Sequence, residues 1–491
     1  MQMTDLPQSD PTWPKSAQEV VSQMSTLILL QSEQLGVQSE QLGVQSEQLG
    51  VQSEQLAHQA QEITHLKERL NQNSKNSGKP PSSDQKQKKS RQQRGKSGRK
   101  KGGQKGHTGT TRGLLTPDKI EISSPKEPQC ECGGEWIARG EIELFQVTEL
   151  PEIKPEVTEY HLQTFECQCC GHKERPRYQT GLSYSRFGPR LHALVIDLSV
   201  NGHMTIRKIK SHLCTTFGVK ISVGAISDML KRSATLNTQA YQELLSWFKA
   251  DQSVKNVDET GWHIAGERAA LIGASNDHAS LFAVSHHRRR EDVVRLIGDD
   301  FNRVIISDRA KVYVKWSHRQ LCWSHILRDF IFISEGKGSV QKGKLLVRRA
   351  RRLFKLNELF RSGEINVERY LREANVIYRE VDEALIALSL QPQLSWIRAG
   401  KVNNILAHKD QLWTFLRDPS LPIHNNAQEQ QLRNPVIKRK LSFGSNTLAG
   451  GQFFAQLLSI VKTLERQGRD WRAWMIRSLS GATLSLIPEK C

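Results

Sequence analysis

Residues 253–308 constrain the fold of this chain more than any other stretch. Residues 253–257 are β-prone and deliver Asp258, Gly261 reads as a turn, and residues 262–264, 268–275 and 280–285 read as strand text. Residues 291–297 read as a short helix. The apolar run 303–307 then ends at Asp308. Two aspartates therefore each follow a strand that reads as buried.

Three strands, a helix and a fourth strand form the element order of a ribonuclease H-like fold. In that fold the first and fourth strands lie side by side, which would bring Asp258 and Asp308 together. Two carboxylates so placed repel unless a cation lies between them, and hard oxygen ligands suit Mg²⁺. Spacing alone leaves a second reading open, in which each aspartate caps a turn.

With 491 residues the chain has room for several domains, and a formal net charge of +19 favours a polyanionic partner. The charge is unevenly placed. Residues 1–70 carry three Lys/Arg against nine Asp/Glu, whereas residues 71–112 carry thirteen Lys/Arg against one Asp. Residues 71–112 hold too little apolar surface to fold alone, and Lys100, Lys101 and Lys105 can lie along phosphates without reading sequence. No stretch is apolar enough to span a membrane and no secretory signal is evident, so a cytoplasmic chain is expected.

Val21, Ile28, Leu35, Leu42, Leu49, Leu56, Ile63 and Leu70 recur every seventh residue. They define one seam of a coiled coil, and with it a homo-oligomer joined through the N-terminal arm. The second seam is glutamine-rich, and Gly36, Gly43 and Gly50 each cost about 1 kcal/mol of helix propensity. A disordered polar tract is the alternative. Further on, Cys130-x-Cys132 and Cys167-x-x-Cys170 are each followed by glycine, which suits a structural Zn²⁺ stapling a β ribbon. Free thiols in a small β domain are the alternative. Residues 188–232 read as helices with a short Gly218-Val219 turn, a helix-turn-helix pattern. It would present Ser222, Ser227, Lys231 and Arg232 to DNA. A plain three-helix connector is the alternative.

Asp258 in VDETGW, Asp308 in IISDRA and Glu429 in HNNAQEQQLR resemble the three acids of a DDE transposase. The blocks RQLCWSHILRDF, RKLSFGSN and LNQNSKNSGKPPSSD resemble, in the same order, the transposase of the insertion-sequence family numbered sixty-six. That resemblance implies DNA strand cleavage and strand transfer by two Mg²⁺ (or Mn²⁺) ions held by Asp258, Asp308 and Glu429. It implies double-stranded DNA as partner, as element ends and as target, together with accessory proteins of the same element. Lys438, Arg439 and Lys440 would contact phosphate. Cys322-x-x-His325 looks like half a metal site but is better read as packing.

The expected architecture is multidomain α+β. A coiled-coil arm (1–70), a basic linker (71–112), a zinc-binding segment (113–180) and a helix-turn-helix region (181–250) precede a ribonuclease H-like α/β core (251–335 and 421–450). That core is interrupted by a helical insertion (336–420) and followed by C-terminal helices (451–491). The rival class is a non-catalytic DNA-binding regulator or an inactive transposase remnant, and the intact acid triad argues against it.

A division of labour in DNA binding follows from the charge pattern. Deleting residues 1–112 is expected to weaken binding to all duplexes and to flatten its salt dependence, by about 0.9 in slope per phosphate released. Preference for the element's ends is expected to survive that deletion and to be lost when Ser227, Lys231 and Arg232 are replaced by Ala. Competition titrations of specific against random duplex at two salt concentrations check both; the reverse pattern would place sequence recognition in the arm.

Overall fold

The computed structural model of the chain describes residues 10–77, 108, 113–123, 130–134, 137, 140, 144–175, 182, 185–336 and 338–488. Helix α1 (Lys15–Leu70) is followed by two short strands, β1 (Phe165–Glu166) and β2 (Lys173–Glu174). Helices α2 (Pro189–Val200), α3 (Ile206–Phe217), α4 (Val223–Leu236) and α5 (Thr238–Ala250) come next. The sheet region holds β3 (Lys255–Ile264), β4 (Glu267–Ser275), β5 (Ser280–Ser285), α6 (Arg290–Ile297), β6 (Ile305–Ser307) and β7 (Arg319–Leu321). Then come α7 (Trp323–Ser334), α8 (Val340–Arg361), α9 (Val367–Ser389), α10 (Trp396–Ala407), α11 (Lys409–Leu412), α12 (Asn426–Ser442), α13 (Leu448–Arg466) and α14 (Trp471–Leu479). No helix among the described residues is long and apolar enough to cross a membrane. The chain divides into two compact units, Met1–Asp84 with Trp323–Pro419, and Gln85–Cys322 with Ser420–Cys491.

In the first unit, α1 runs unbroken through Gly36, Gly43 and Gly50, each in open space. Its seam residues Leu35, Leu42, Leu49 and Leu56 are exposed. The C-terminal end of α1 is anchored differently. Glu68 is buried against Arg398 of α10, and Ser395 Oγ donates to Glu68 Oε2 at 2.7 Å. The Arg398 guanidinium also lies 4.5 Å over the Phe332 ring, and His65 packs on Trp396 at 4.5 Å between centroids. Beyond the helix, Asn76 turns back on Asn73 and donates to Glu335 at 2.8 Å. The asparagine-rich block after Leu70 thus fastens the arm to the helical insertion. Helices α7 and α8 meet at Gly343, where a Cβ would lie 2.5 Å from the Ser334 backbone.

In the second unit, the sheet order is β5-β4-β3-β6-β7, with β3, β4 and β5 antiparallel and β6 and β7 parallel to β3. The first strand of the sheet thus lies between the second and the fourth, as the residue order requires. The β5 edge is covered by α13. Phe282 N donates to Ser459 Oγ at 2.9 Å and Ser280 N to Thr463 Oγ1 at 3.1 Å, so edge groups that would otherwise be unpaired are satisfied. One point differs from expectation: Gly261 is not a turn. It pairs with Ala270 inside a continuous ten-residue β3, and a Cβ there would come within 3.0 Å of the Arg439 guanidinium.

Helices α2, α3 and α4 share a core of Val195, Ile209, Leu213, Ile221, Ile226 and Met229. Thr205 and Ser222 cap α3 and α4 through their hydroxyls, and Gly218 ends α3 in the left-handed conformation. Among the described residues near the cysteines, the strand pairing present is the two-residue ladder of β1 with β2, which flanks Cys167 and Cys170. Residues 144–164 belong to no element, and their apolar side chains (Leu144, Val147 and Val157 among them) are exposed.

The Glu68–Arg398 pair generates a stability prediction. Glu68→Ala leaves a buried guanidinium uncompensated and is expected to cost about 3–5 kcal/mol in the first unit. Thermal unfolding of the full chain would show it, together with faster proteolysis around residues 71–77. A variant as stable as the parent would mean that the pair does not anchor the arm.

Candidate active site

The parallel ladder between β3 and β6 stops at Asn256 opposite Ile306. Two residues further along each strand stand Asp258 and Asp308, at the same level on neighbouring chains. Asp258 is therefore mid-strand in β3 and Asp308 directly follows β6. Asp308 Oδ1 accepts from Ala310 N at 2.8 Å, while Arg319, buried in β7, donates to the Asp308 carbonyl at 2.8 Å and the Tyr313 carbonyl at 3.2 Å. The Arg of the RQLCWSH block thus holds the loop that carries the second acid.

Glu429 lies in the first turn of α12, where the helix dipole favours an anion. Three contacts fix that helix end. Asn425 Nδ2 donates to the Val257 carbonyl at 2.8 Å, immediately before Asp258. Asn425 N donates to Cys322 Sγ at 3.2 Å, and the same thiol lies 3.7 Å from Glu429 Oε1. Cys322 thus lies between the start of α12 and the third acid; His325 belongs to the first unit, on α7. The third contact is a close approach. Gly273 of β4 pairs with Asp258, and a Cβ on it would sit 2.1 Å from Gln428 Nε2 and 3.1 Å from the Phe282 ring. The bare backbone at Gly273 is what lets α12 come down onto the sheet.

The electrostatics link the other acids to Asp258. Burial pushes the Asp258 carboxyl well above its ordinary range, and the charges of Glu259, Asp308 and Glu429 push it further. Sequence reasoning missed Glu259. Its side chain is 1% exposed, on the face of β3 opposite Asp258, where burial and Asp308 raise its pKa while Arg288 and Tyr313 oppose the rise. Arg288 Nε donates to Glu259 Oε1 at 2.7 Å, and the Tyr313 hydroxyl donates to Glu259 Oε2. Tyr313 is fully buried, and burial together with Glu259 drives its pKa upward. The adjacent Asp-Glu pair was the available signal, because strand alternation sends neighbours to opposite faces.

A divalent cation fits these residues. Asp308 and Glu429 lie close enough for their charges to act on Asp258, and hard oxygens of this kind suit Mg²⁺ or Mn²⁺. Asn425 Oδ1 and both amide atoms of Gln428 are buried beside them with no hydrogen-bond partner among the described residues. Buried polar atoms are rarely left so without water or an ion to satisfy them.

The cysteines are less gathered than expected. Cys130 and Cys132 lie 3.0 Å apart through their sulfurs. Cys167 starts the hairpin turn, where its amide donates to the His172 carbonyl at 2.8 Å. The Cys130 side chain lowers the Cys132 thiol pKa, and backbone amides of Cys170 and Cys169 lower that of Cys167. Among the described residues no three of these thiols come within reach of one ion. Among the described residues no strand ladder links the two pairs.

The expected DNA contacts divide in the same way. Ser227 and Lys231 are exposed on α4 and Arg232 is half-buried there. Lys440 is exposed, but Lys438 is not available for phosphate. Its ammonium is buried and donates to Ser199 Oγ at 3.2 Å and to the Met204 carbonyl, and burial lowers its pKa to about 8. Period 3.6 turns Lys438 onto the face of α12 that meets α2. Arg439 is likewise committed, to the Gly261 carbonyl and, at 3.4 Å, to Thr260 Oγ1. Lys100, Lys101 and Lys105 lie outside the described residues.

Residues 184–453, more than half of the chain, match the family described as Transposase IS66 family, and residues 29–113 match a family of unknown function (DUF6444). Two curated proteins of Sinorhizobium fredii (strain NBRC 101917 / NGR234) are similar over shorter stretches. The uncharacterized protein y4jD is 29% identical over 119 residues, 23% of each chain. The uncharacterized protein y4jO is 38% identical over 60 residues, 12% of this chain and 19% of that one. The matched stretches thus span under a quarter of either relative's length.

If the bare backbone at Gly273 sets the depth of α12, Gly273→Ala is expected to weaken Mn²⁺ binding at least several-fold. Its stability cost should be about 1–3 kcal/mol, that of modest overpacking. Calorimetric titration with Mn²⁺ alongside thermal melting checks this. An unchanged affinity would mean that α12 is held in place by something else.

Proposed function

The chain belongs to the Transposase IS66 family, and from that premise we propose that it is a DDE-type DNA transposase with Asp258, Asp308 and Glu429 as its metal-holding acids. What supports the reading is that Asp258 and Asp308 stand at matching positions on two parallel strands and Glu429 at a helix N-terminus, with the charges of Asp308 and Glu429 both acting on Asp258. The sheet order supports a ribonuclease H-like core.

In this reading Asp258, Asp308 and Glu429 would hold two Mg²⁺ or Mn²⁺ ions, which would supply activation of the attacking oxygen and charge neutralisation at the leaving 3′-oxygen. The protein's part is positional. Asn425 and Cys322 set the start of α12, Arg319 sets the loop after β6, and Gly273 admits Gln428 to the sheet. Glu259, clamped by Tyr313 and Arg288, adds negative charge behind Asp258 and strengthens the demand for cations.

The remaining segments fit DNA handling. Capped helices α3 and α4, joined by a tight glycine turn, have the form of a helix-turn-helix, with Ser227 and Lys231 on the open face of α4. The exposed leucine seam of α1 would be covered by the same helix of a second copy. Cys130, Cys132, Cys167 and Cys170 would hold Zn²⁺. Their thiol donor set suits that ion, and binding would supply the link between the pairs that no strand ladder among the described residues provides.

Asp258→Asn, Asp308→Asn and Glu429→Gln are each expected to lower Mg²⁺-dependent strand cleavage by at least 10²-fold while leaving DNA affinity within about twofold. Cleavage and gel-shift assays on the same preparations test this. Full cleavage in any one variant would remove that residue from the site. Intact DNA binding with no cleavage by the parent protein under any divalent cation would favour the non-catalytic regulator.

A further inference from the structure

One basic run is not absorbed by the functions above. His286-His287-Arg288-Arg289-Arg290 forms the connection from β5 to α6, and its first four residues are exposed. A charge run on a loop is usually a solvated face, so its position decides what it can do. Sheet register supplies that position. Ser285, the last residue of β5, pairs with Ala270, which pairs with Gly261. The loop therefore leaves the sheet at the end where β3 has just delivered Asp258 and Glu259, the same end at which β6 delivers Asp308.

The side chains separate into two roles. Arg290 is committed to the protein, lying 4.7 Å over the Trp316 ring and 3.4 Å from Asp299. Arg288 reaches inward to Glu259, using Nε and one terminal nitrogen on a single carboxylate oxygen. Its side chain nevertheless remains 58% exposed, while Glu259 is 1% exposed. An arginine fork carries five N–H donors in one plane. Those directed away from Glu259 have no other protein partner among the described residues. Burial opposes the guanidinium's charge, but Glu259 above all, with smaller effects of Tyr313 and Asp308, raises its pKa. An exposed, half-used guanidinium thus borders a cluster of acids that must admit a polyanion, and the fork geometry suits bidentate phosphate recognition.

We propose that Arg288, flanked by His286, His287 and Arg289, is the phosphate grip that holds the DNA backbone against the acid site, with Glu259 as the buried carboxylate that aims it. The inference rests on the reading of Asp258, Asp308 and Glu429 as the catalytic acids. In this arrangement Glu259 does not touch DNA; it is a positioning residue. Tyr313 fixes Glu259 on one side and Arg288 bridges from Glu259 to the phosphate on the other. The grip lets a negatively charged strand approach four carboxylates before cations complete the neutralisation.

The test uses the full chain and a random-sequence duplex of about 30 base pairs, with binding measured in the absence of metal at several salt concentrations. Arg288→Gln is expected to lower affinity several-fold and to reduce the slope of log K against log salt by about 1, the signature of one lost phosphate contact. Because Arg288→Gln leaves Glu259 buried without its cation, the double variant Glu259→Gln/Arg288→Gln serves as a second probe with a neutral pair. The same loss of slope is expected in it, whereas Glu259→Gln alone is expected to keep the slope. In Mg²⁺, cleavage by the double variant at subsaturating DNA should fall by at least the factor lost in binding. An unchanged slope in both Arg288 variants, or a slope restored in the double variant, would overturn the grip. Cleavage that survives the loss of slope would place the contact away from the acids and equally overturn it. Failure of the acid assignment itself is read separately, from full cleavage by Asp308→Asn, which does not alter the metal-free slopes.

Discussion

Repulsion among carboxylates is the constraint on which the second unit depends. Asp258, Asp308, Glu429 and Glu259 bring up to four negative charges into a setting where water screens them poorly, and the upward pressure on Asp258 is the direct consequence. Such a cluster persists only if the surrounding fold over-determines it. Each acid is accordingly held from behind: Asp308 by the loop that Arg319 grips, Glu429 by the Asn425 and Cys322 contacts, and Glu259 by Tyr313 and Arg288. Packing energy from the sheet and its covering helices is spent on keeping like charges together, which is the usual relation between a stable scaffold and a reactive site.

Helix α12 connects several parts of that scaffold. Its first turn carries Glu429 and packs Gln428 inward, its middle packs Leu432, and its last turns send Lys438 to α2 and Arg439 to β3. Just past it, Phe443 and Gly444 adopt left-handed backbone. Ser445 then bonds to the His263 carbonyl at 3.0 Å, and a Cβ on Gly444 would strike that carbonyl. The SFGS segment is therefore a clasp that returns the chain to the end of β3. Movement at α2 would be felt at Glu429 through a single helix.

Much of this was legible in the residue order. The heptad leucines, the capped helices around Gly218, the three strands before Glu291 and the start of a helix at Asn426 each announce themselves through local periodicity or caps, and the helices and strands stand close to where those signals put them. The errors share a cause. Gly261 looked like a turn because glycine usually punctuates, yet it serves a close contact with an arginine 178 residues away. Lys438 looked like a phosphate ligand because basic residues near an acid site usually face solvent, yet helical phase turns it inward. The stretch between the cysteine pairs alternated like strands, yet residues 144–164 belong to no element.

The sequence by itself determined which elements form, their order, and the two aspartates at matching positions on the first and fourth strands, because these follow from local backbone preference and the period of apolar residues. Only the tertiary structure decided how deep Glu429 reaches, that Glu259 joins the cluster from the opposite face of β3, and that Arg288 stands at its rim. Those outcomes depend on contacts between residues far apart in the chain, such as Gly273 with Gln428 and Tyr313 with Glu259. Burial then changes their chemistry, since a carboxylate's charge is set by its neighbours and its access to water and by nothing in its own identity.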